Sequence, residues 1–125
     1  MILGIGMDIA ETARVKASME RHGEDFLRRI LLPSEIAYCM AHKEPSLQVA
    51  ARFAAKEAVS KAFGTGIGAD IGWCDIEICR KPNGEPFVVL HGNGGKLFEA
   101  RGAVRLHITL THTKDHAAAT AILEG

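Results

Sequence analysis

Pro45-Ser46-Leu47-Gln48-Val49-Ala50-Ala51-Arg52-Phe53-Ala54-Ala55-Lys56-Glu57-Ala58-Val59-Ser60-Lys61-Ala62-Phe63-Gly64 is the strongest helical pattern in the chain. Proline is tolerated in the first turn of a helix and glycine is favoured just past its end. The stretch therefore predicts one helix over Leu47–Phe63, opened by Pro45-Ser46 and closed by Gly64. At about 100° per residue, Leu47, Ala50, Ala51, Ala54 and Ala58 share one face, the natural core side. Glu57 and Lys61 fall on that same side, about 40° apart, while Arg52, Lys56 and Ser60 fall on the opposite, wetter side. A carboxylate and an ammonium aimed at a face of alanines have two readings. One is an i,i+4 ion pair whose heads both reach solvent. The other is a site where alanine leaves room for a ligand, Glu57 holds a metal and Lys61 contacts an anion.

Upstream, Ile2–Asp8 reads as a short strand whose Gly4 and Gly6 suggest a close backbone approach. Helical pattern follows over Thr12–Arg21 with Gly23 as a stop, then over Phe26–Leu31. Pro33 restarts a helix with Ser34 as N-cap. Downstream the period changes. Trp73–Cys79 alternates as a strand, and Lys81-Pro82-Asn83-Gly84 is a hairpin turn leading to Pro86–Leu90. Gly92-Asn93-Gly94-Gly95 precedes a short helix over Lys96–Ala100. Val104–Thr111 and His116–Leu123 form a second strand pair. Helices dominate the first half and antiparallel strands the second, which predicts an α+β fold with an antiparallel sheet packed against the long helix. With 125 residues, this makes a single domain over 1–125.

Fifteen Lys+Arg balance fifteen Asp+Glu, giving zero formal net charge, so no overall basic field exists to hold nucleic acid. No apolar run approaches the roughly 20 residues of a membrane helix, and Met1-Ile2-Leu3-Gly4 carries no basic signal segment. Cys39, Cys74 and Cys79 match neither a CxxC pair nor zinc spacing. The reading is of reduced thiols in a cytoplasmic protein that contacts neither nucleic acid nor membrane.

Asp8 ends the first apolar strand, where a carboxylate needs a partner. Two carboxylates from different elements, Asp8 and Glu57, suit Mg²⁺ completed by water and substrate phosphates, with a nearby lysine as a point charge for those phosphates. Gly64-Thr65-Gly66-Ile67-Gly68 follows a helix rather than opening one, so it is not a Walker loop. His107, Thr109 and Thr111 share one strand face, either a ligand-lining row or a solvent face.

Together these residues resemble the bacterial holo-acyl-carrier-protein synthases, the small 4′-phosphopantetheinyl transferases. Gly4-Ile5-Gly6-Met7-Asp8-Ile9 followed by Arg14 resembles the family's N-terminal motif. Phe26-Leu27-Arg28-Arg29-Ile30-Leu31 with Glu35 resembles its next block, and Arg52 through Gly68 its signature helix and loop. Asp75–Ile78, Gly84-Glu85-Pro86 and the closing His107–Ala119 segment also fit. Thr109 and Thr111 stand where serines are more usual, and His116 where an aromatic is common.

The resemblance implies transfer of 4′-phosphopantetheine from coenzyme A to a serine of apo-acyl carrier protein, with release of 3′,5′-ADP, in support of fatty acid biosynthesis. It implies Mg²⁺ on Asp8 and Glu57, with Lys61 neutralising charge. It also places coenzyme A against Arg52, Lys61, Gly64, His107 and Thr109. Glu57, directly or through a water, becomes the candidate base for the serine proton. The carrier protein, being acidic, would dock on Arg14, Arg21, Phe26 and Arg28. A homotrimer with sites at subunit interfaces is implied as well. Two other classes use the same residues: a Mg²⁺-dependent phosphohydrolase, and a non-catalytic coenzyme-binding or oligomeric interaction module.

Overall fold

Helix α4 (Pro45–Ala62) runs through the middle of the molecule and is covered on both sides. The structure, a computed structural model, describes all residues, 1–125. Before α4 come β1 (Ile2–Glu11), α1 (Thr12–His22), α2 (Glu24–Ile30) and α3 (Pro33–Met40). After it come a 3₁₀ turn (Trp73–Asp75), β2 (Ile76–Arg80), β3 (Pro86–Leu90), α5 (Asn93–Ala100), β4 (Arg105–His112) and β5 (His116–Glu124). The sheet under α4 has the order β1-β5-β4, antiparallel throughout, and β2 and β3 form a separate antiparallel pair. The α+β class and the sheet-on-helix packing thus follow the sequence reading. The pairing of β1 with β5 joins the two ends of the chain.

One face of β1 fixes how closely the helix lies on the sheet. Side chains alternate along a strand, so Gly4, Gly6, Asp8 and Ala10 share a face. A Cβ added at Gly4 would overlap the Ala62 carbonyl oxygen, and one at Gly6 the Ala58 carbonyl oxygen. The α4 backbone therefore rests on bare Cα positions. Beside them, Ala117, Ala119 and Ala121 of β5 are buried against Ala54, Ala58 and Ala62 in one small-residue layer.

The far side of α4 overturns the wheel reading. Arg52 is 1 % exposed, and Lys56 and Ser60 are 0 % exposed. The more open side of the helix carries Glu57 and Lys61 instead. The Lys56 ammonium donates to Glu35 Oε1 (2.7 Å), to the Ile30 carbonyl (2.7 Å) and to the Trp73 carbonyl (3.0 Å). Glu35 also accepts from the backbone N–H of Leu32 (2.8 Å) and of Ile78 (2.9 Å). All three ammonium protons are used, and α2, α3, α4, the 3₁₀ turn and β2 meet at this pair. Burial pulls Lys56 down from the ordinary lysine value and Glu35 opposes the shift. Removing one member of such a pair costs about 3–5 kcal/mol, because the other is left charged and buried. A helical wheel sees only one helix, and α2 and α3 arrive from elsewhere in the chain.

Several local expectations move. The strand expected from Trp73 begins at Ile76, because Asp75 Oδ2 accepts from Gly72 N–H (2.8 Å) and closes a turn. Cys74 thus lies outside the strand that holds Cys79, and all three cysteines are free. Asn93, Gly94 and Gly95 form the first turn of α5 rather than preceding it. Ser34 does not cap α3; its hydroxyl donates to Glu77 Oε2 (3.0 Å). Strand β1 continues three residues past Asp8, paired with β5 out to Glu11–His116.

Gly6→Ala is expected to lower the unfolding free energy by about 3 kcal/mol or more in a urea titration, since the Cβ meets backbone that cannot yield. Gly95→Ala, in α5 with nothing within 4 Å of its added Cβ, is expected to raise it by about 0.5–1 kcal/mol.

Candidate active site

The register that seats Gly4 and Gly6 on α4 brings the next residue of that face, Asp8, to the polar end of the contact. Lys61 Nζ donates to Asp8 Oδ1 (2.9 Å) and to the Met7 carbonyl (3.2 Å). The Asp8 side chain is mostly buried, whereas that of Lys61 is half-exposed. Glu57, one turn before Lys61 on α4, lies half-buried beside the pair. Its proton affinity is raised above the ordinary carboxylate value, first by burial and then by the charge of Asp8, with Lys61 opposing.

Two carboxylates close enough to repel, from two elements, offer hard oxygen ligands to a cation. No group of three or more His, Cys, Asp or Glu side chains comes together in the chain. Asp8 and Glu57 alone could supply one or two carboxylates to Mg²⁺, an ion that completes its shell with water and phosphate oxygens. The residues present fit that ion.

Gly64 follows α4 with φ 81°, a left-handed conformation that closes the helix, and its N–H donates to the Lys61 carbonyl (2.9 Å). Within one chain the remaining coenzyme candidates stand elsewhere. Arg52 is buried on the far side of α4, its guanidinium 4.1 Å above the Tyr38 ring and its Nε without a partner. His107 and Thr109 project from the outer face of the sheet, opposite to Asp8, in cross-strand rows with Ile122 and Thr120 of β5. His107 Nε2 lies 2.9 Å from Glu124 Oε1 and holds the Glu124 carboxyl below its usual value.

A cavity of about 420 Å³ opens immediately beyond Asp8 along β1. Ile9, Arg14, Val15, Phe26 and Phe53 line it, with Glu11 and His116 at its polar side. It brings together Arg14 and Phe26, two of the four expected docking residues. Arg21, in the last turn of α1, and Arg28, paired with Glu24 at 2.7 Å, do not line it. Sequence reasoning missed Val15 and Phe53. Phe53 sits among core alanines on α4, where an aromatic reads as packing, and its ring does lie against Trp73 (4.9 Å between centroids).

A sequence model described as the 4′-phosphopantetheinyl transferase superfamily matches residues 4–121. The chain belongs to this superfamily. Its relatives include a holo-[acyl-carrier-protein] synthase from Nitratidesulfovibrio vulgaris, 48% identical over 125 residues and aligned along the whole of both chains. The crystal structure of the holo-[acyl-carrier-protein] synthase of Neisseria meningitidis superposes with a TM-score of 0.94 at 33% identity, covering all of both chains. That of the Helicobacter pylori enzyme, in complex with coenzyme A, superposes with a TM-score of 0.86 at 33% identity over 96% of this chain and 99% of the other. Both the family and the fold expected from the motifs are thereby established. No helix of the chain is long and apolar enough to cross a membrane.

The raised proton affinity of Glu57 carries a stability consequence. A carboxyl that binds its proton more tightly in the fold than in the unfolded chain favours the fold when protonated. The fold then weakens as pH rises through the ordinary carboxylate range to the raised value. Glu57→Gln is expected to unfold at a higher temperature than the parent at about pH 7.5, with the gap closing by about pH 4, as followed by circular dichroism without added divalent cation.

Proposed function

We propose that this chain is a holo-[acyl-carrier-protein] synthase. It moves the 4′-phosphopantetheine moiety of coenzyme A to a serine hydroxyl of apo-acyl carrier protein, releases 3′,5′-ADP, and so supports fatty acid biosynthesis. The observation that carries the reading is the meeting of Asp8 from β1 with Glu57 and Lys61 from α4, inside a fold matched along its length by holo-[acyl-carrier-protein] synthases.

In the reaction the serine oxygen forms a bond to the phosphorus that carries pantetheine. The bond from that phosphorus to the bridging oxygen breaks, and 3′,5′-ADP leaves with the electron pair. Glu57 is the candidate acceptor of the serine proton, directly or through a water, with the water route favoured where its carboxylate holds Mg²⁺. Lys61, held by Asp8, presents a positive charge to the pyrophosphate as negative charge moves onto the leaving group. Asp8 and Glu57 would hold Mg²⁺, which supplies further charge neutralisation at the pyrophosphate. Gly64 leaves the backbone at the end of α4 open to the coenzyme.

Arg14 and Phe26, at the cavity beside Asp8, form the heart of the carrier-protein surface, with Arg21 and Arg28 as flanking charges. An acidic carrier is drawn to such a surface, and an apolar side chain fills its pocket. Arg52, sealed beneath Tyr38, supports the site through packing in this arrangement rather than by direct contact with coenzyme.

The working unit is a homotrimer with sites at subunit interfaces. Ile5, Met7 and Ile9 are 63 %, 68 % and 66 % exposed along the outer face of β1, a strip too apolar to face water without a partner. His107 and Thr109 share that face, so they would complete the site of a neighbouring subunit. Three free thiols suit the reducing cytoplasm.

Incubation with coenzyme A, Mg²⁺ and apo-acyl carrier protein is expected to add one phosphopantetheine to the carrier, read by intact mass. No gain with folded enzyme overturns the reading. Glu57→Ala is expected to lower kcat by about 10²-fold or more. Arg14→Glu should raise KM for the carrier and spare KM for coenzyme A. Met7→Lys is expected to give a folded monomer by light scattering, with little transfer; a trimer of full activity would remove the sheet face from the interface.

A further inference from the structure

We propose that Arg101 is a positioning residue for the coenzyme end of the site, clamping β1 to α4 and supplying positive charge where the helix is negative. The inference rests on the transferase reading above, which places a pyrophosphate beside Lys61 and Gly64. That location is electrostatically awkward. Helix dipoles leave about half a negative charge at the carbonyl end, so an anion suits a helix start and is repelled by a helix end. Lys61 and a cation on Asp8 and Glu57 would act at the pyrophosphate itself. The Lys61 ammonium is shared with Asp8 and the Met7 carbonyl, so the carbonyl end of α4 still calls for a further positive charge.

Several carbonyls at the end of α4 already have partners. The Ser60 carbonyl accepts from Thr65 and Gly66 N–H (both 3.2 Å), and the Lys61 carbonyl accepts from Gly64 N–H (2.9 Å). The Phe63 carbonyl, just past the helix, accepts from Nη1 of Arg101. Nη2 of the same guanidinium donates to the Leu3 carbonyl (3.2 Å). Leu3 precedes Gly4 on β1, the strand that carries Asp8, and Phe63 lies two residues past Lys61. One planar fork therefore ties together the two elements whose spacing sets the Asp8–Lys61 contact. None of the chain's ion pairs includes Arg101, so its charge is not neutralised by a carboxylate. Its Nη1 faces the bare Cα side of Gly64, 4.0 Å from where a Cβ would stand. A clamp of this kind acts on coenzyme through Gly64 and α4, without touching the reacting atoms.

Arg101→Gln keeps a donor for one carbonyl and removes the charge; Arg101→Lys keeps the charge and loses the fork. Calorimetric binding of 3′,5′-ADP is measured for each at low and moderate salt, alongside KM for coenzyme A, KM for the carrier and kcat. Arg101→Gln is expected to weaken 3′,5′-ADP and raise KM for coenzyme A by about three- to tenfold, with a shallower salt dependence. KM for the carrier and kcat should stay within about twofold, and Arg101→Lys should restore most of the binding. Unchanged binding in Arg101→Gln, or an equal rise in both KM values, overturns the assignment. If Arg101→Gln does not fold, a tenfold loss of binding in a folded Arg101→Lys overturns the role of charge, and near-parental binding supports it. A parent chain that binds 3′,5′-ADP and transfers nothing refutes the reaction while leaving Arg101 to be judged on binding. A parent that does not bind 3′,5′-ADP refutes both.

Discussion

Helix α4 can lie on β1 only because Gly4 and Gly6 have no side chains, and that contact sets the distances on which the candidate site depends. Strand period two puts Gly4, Gly6 and Asp8 on one face; helix period 3.6 puts Ala58 and Ala62 where the glycines arrive. With the backbones this close, a short aspartate reaches the ammonium of Lys61 at 2.9 Å. A wider separation would leave Asp8 buried without a partner, which costs more than any surface polar group would. The alanines of β5 continue the same shallow floor, so the whole sheet accepts the helix at one height.

The opposite side of α4 is held by charge rather than by small residues. Lys56 and Glu35 satisfy each other and four backbone groups in the dry interior, which fixes the rotation of the helix as well as its position. Glu57 follows Lys56 directly, so a rotation that released Lys56 would also swing Glu57 away from Asp8. The two sides of α4 thus divide the work: one buries a compensated pair, the other leaves two carboxylates near each other with only Lys61 between their charges. The first arrangement gives order, and the second leaves a demand for positive charge that a cation can meet. Such uncompensated negative charge is costly for the fold and attracts cations.

A single chain holds only part of the constellation expected from the sequence. Asp8, Glu57, Lys61 and Gly64 converge on the helix side of the sheet, while His107 and Thr109 stand on the other side among exposed isoleucines and Met7. Alternation along β4 and β5 makes that separation unavoidable, since no side chain on the outer face can reach Asp8 through the sheet. The same alternation collects the apolar strip and the polar row on one surface, suited to cover by another copy of the chain.

Much of this was legible in the sequence because it is local. The span of α4 came from its proline and glycine ends, the closeness of β1 from Gly4 and Gly6, and the shared face of Glu57 and Lys61 from the helical repeat. Composition excluded a uniformly basic protein, and the motif around residues 52–68 named the family. What the residues could not disclose depends on neighbours distant in the chain. Lys56 looks like a solvated lysine until α2, α3 and the turn at Trp73 close over it, and Arg52 looks free until Tyr38 covers it. Cys74 looks like a strand residue until Asp75 turns the chain. Arg101 gave no signal, since its partners, Leu3 and Phe63, offer only backbone carbonyls, which every residue has. Periodicity determines which side of an element a residue occupies; only the packed chain decides whether that side meets water, a second charge or another backbone.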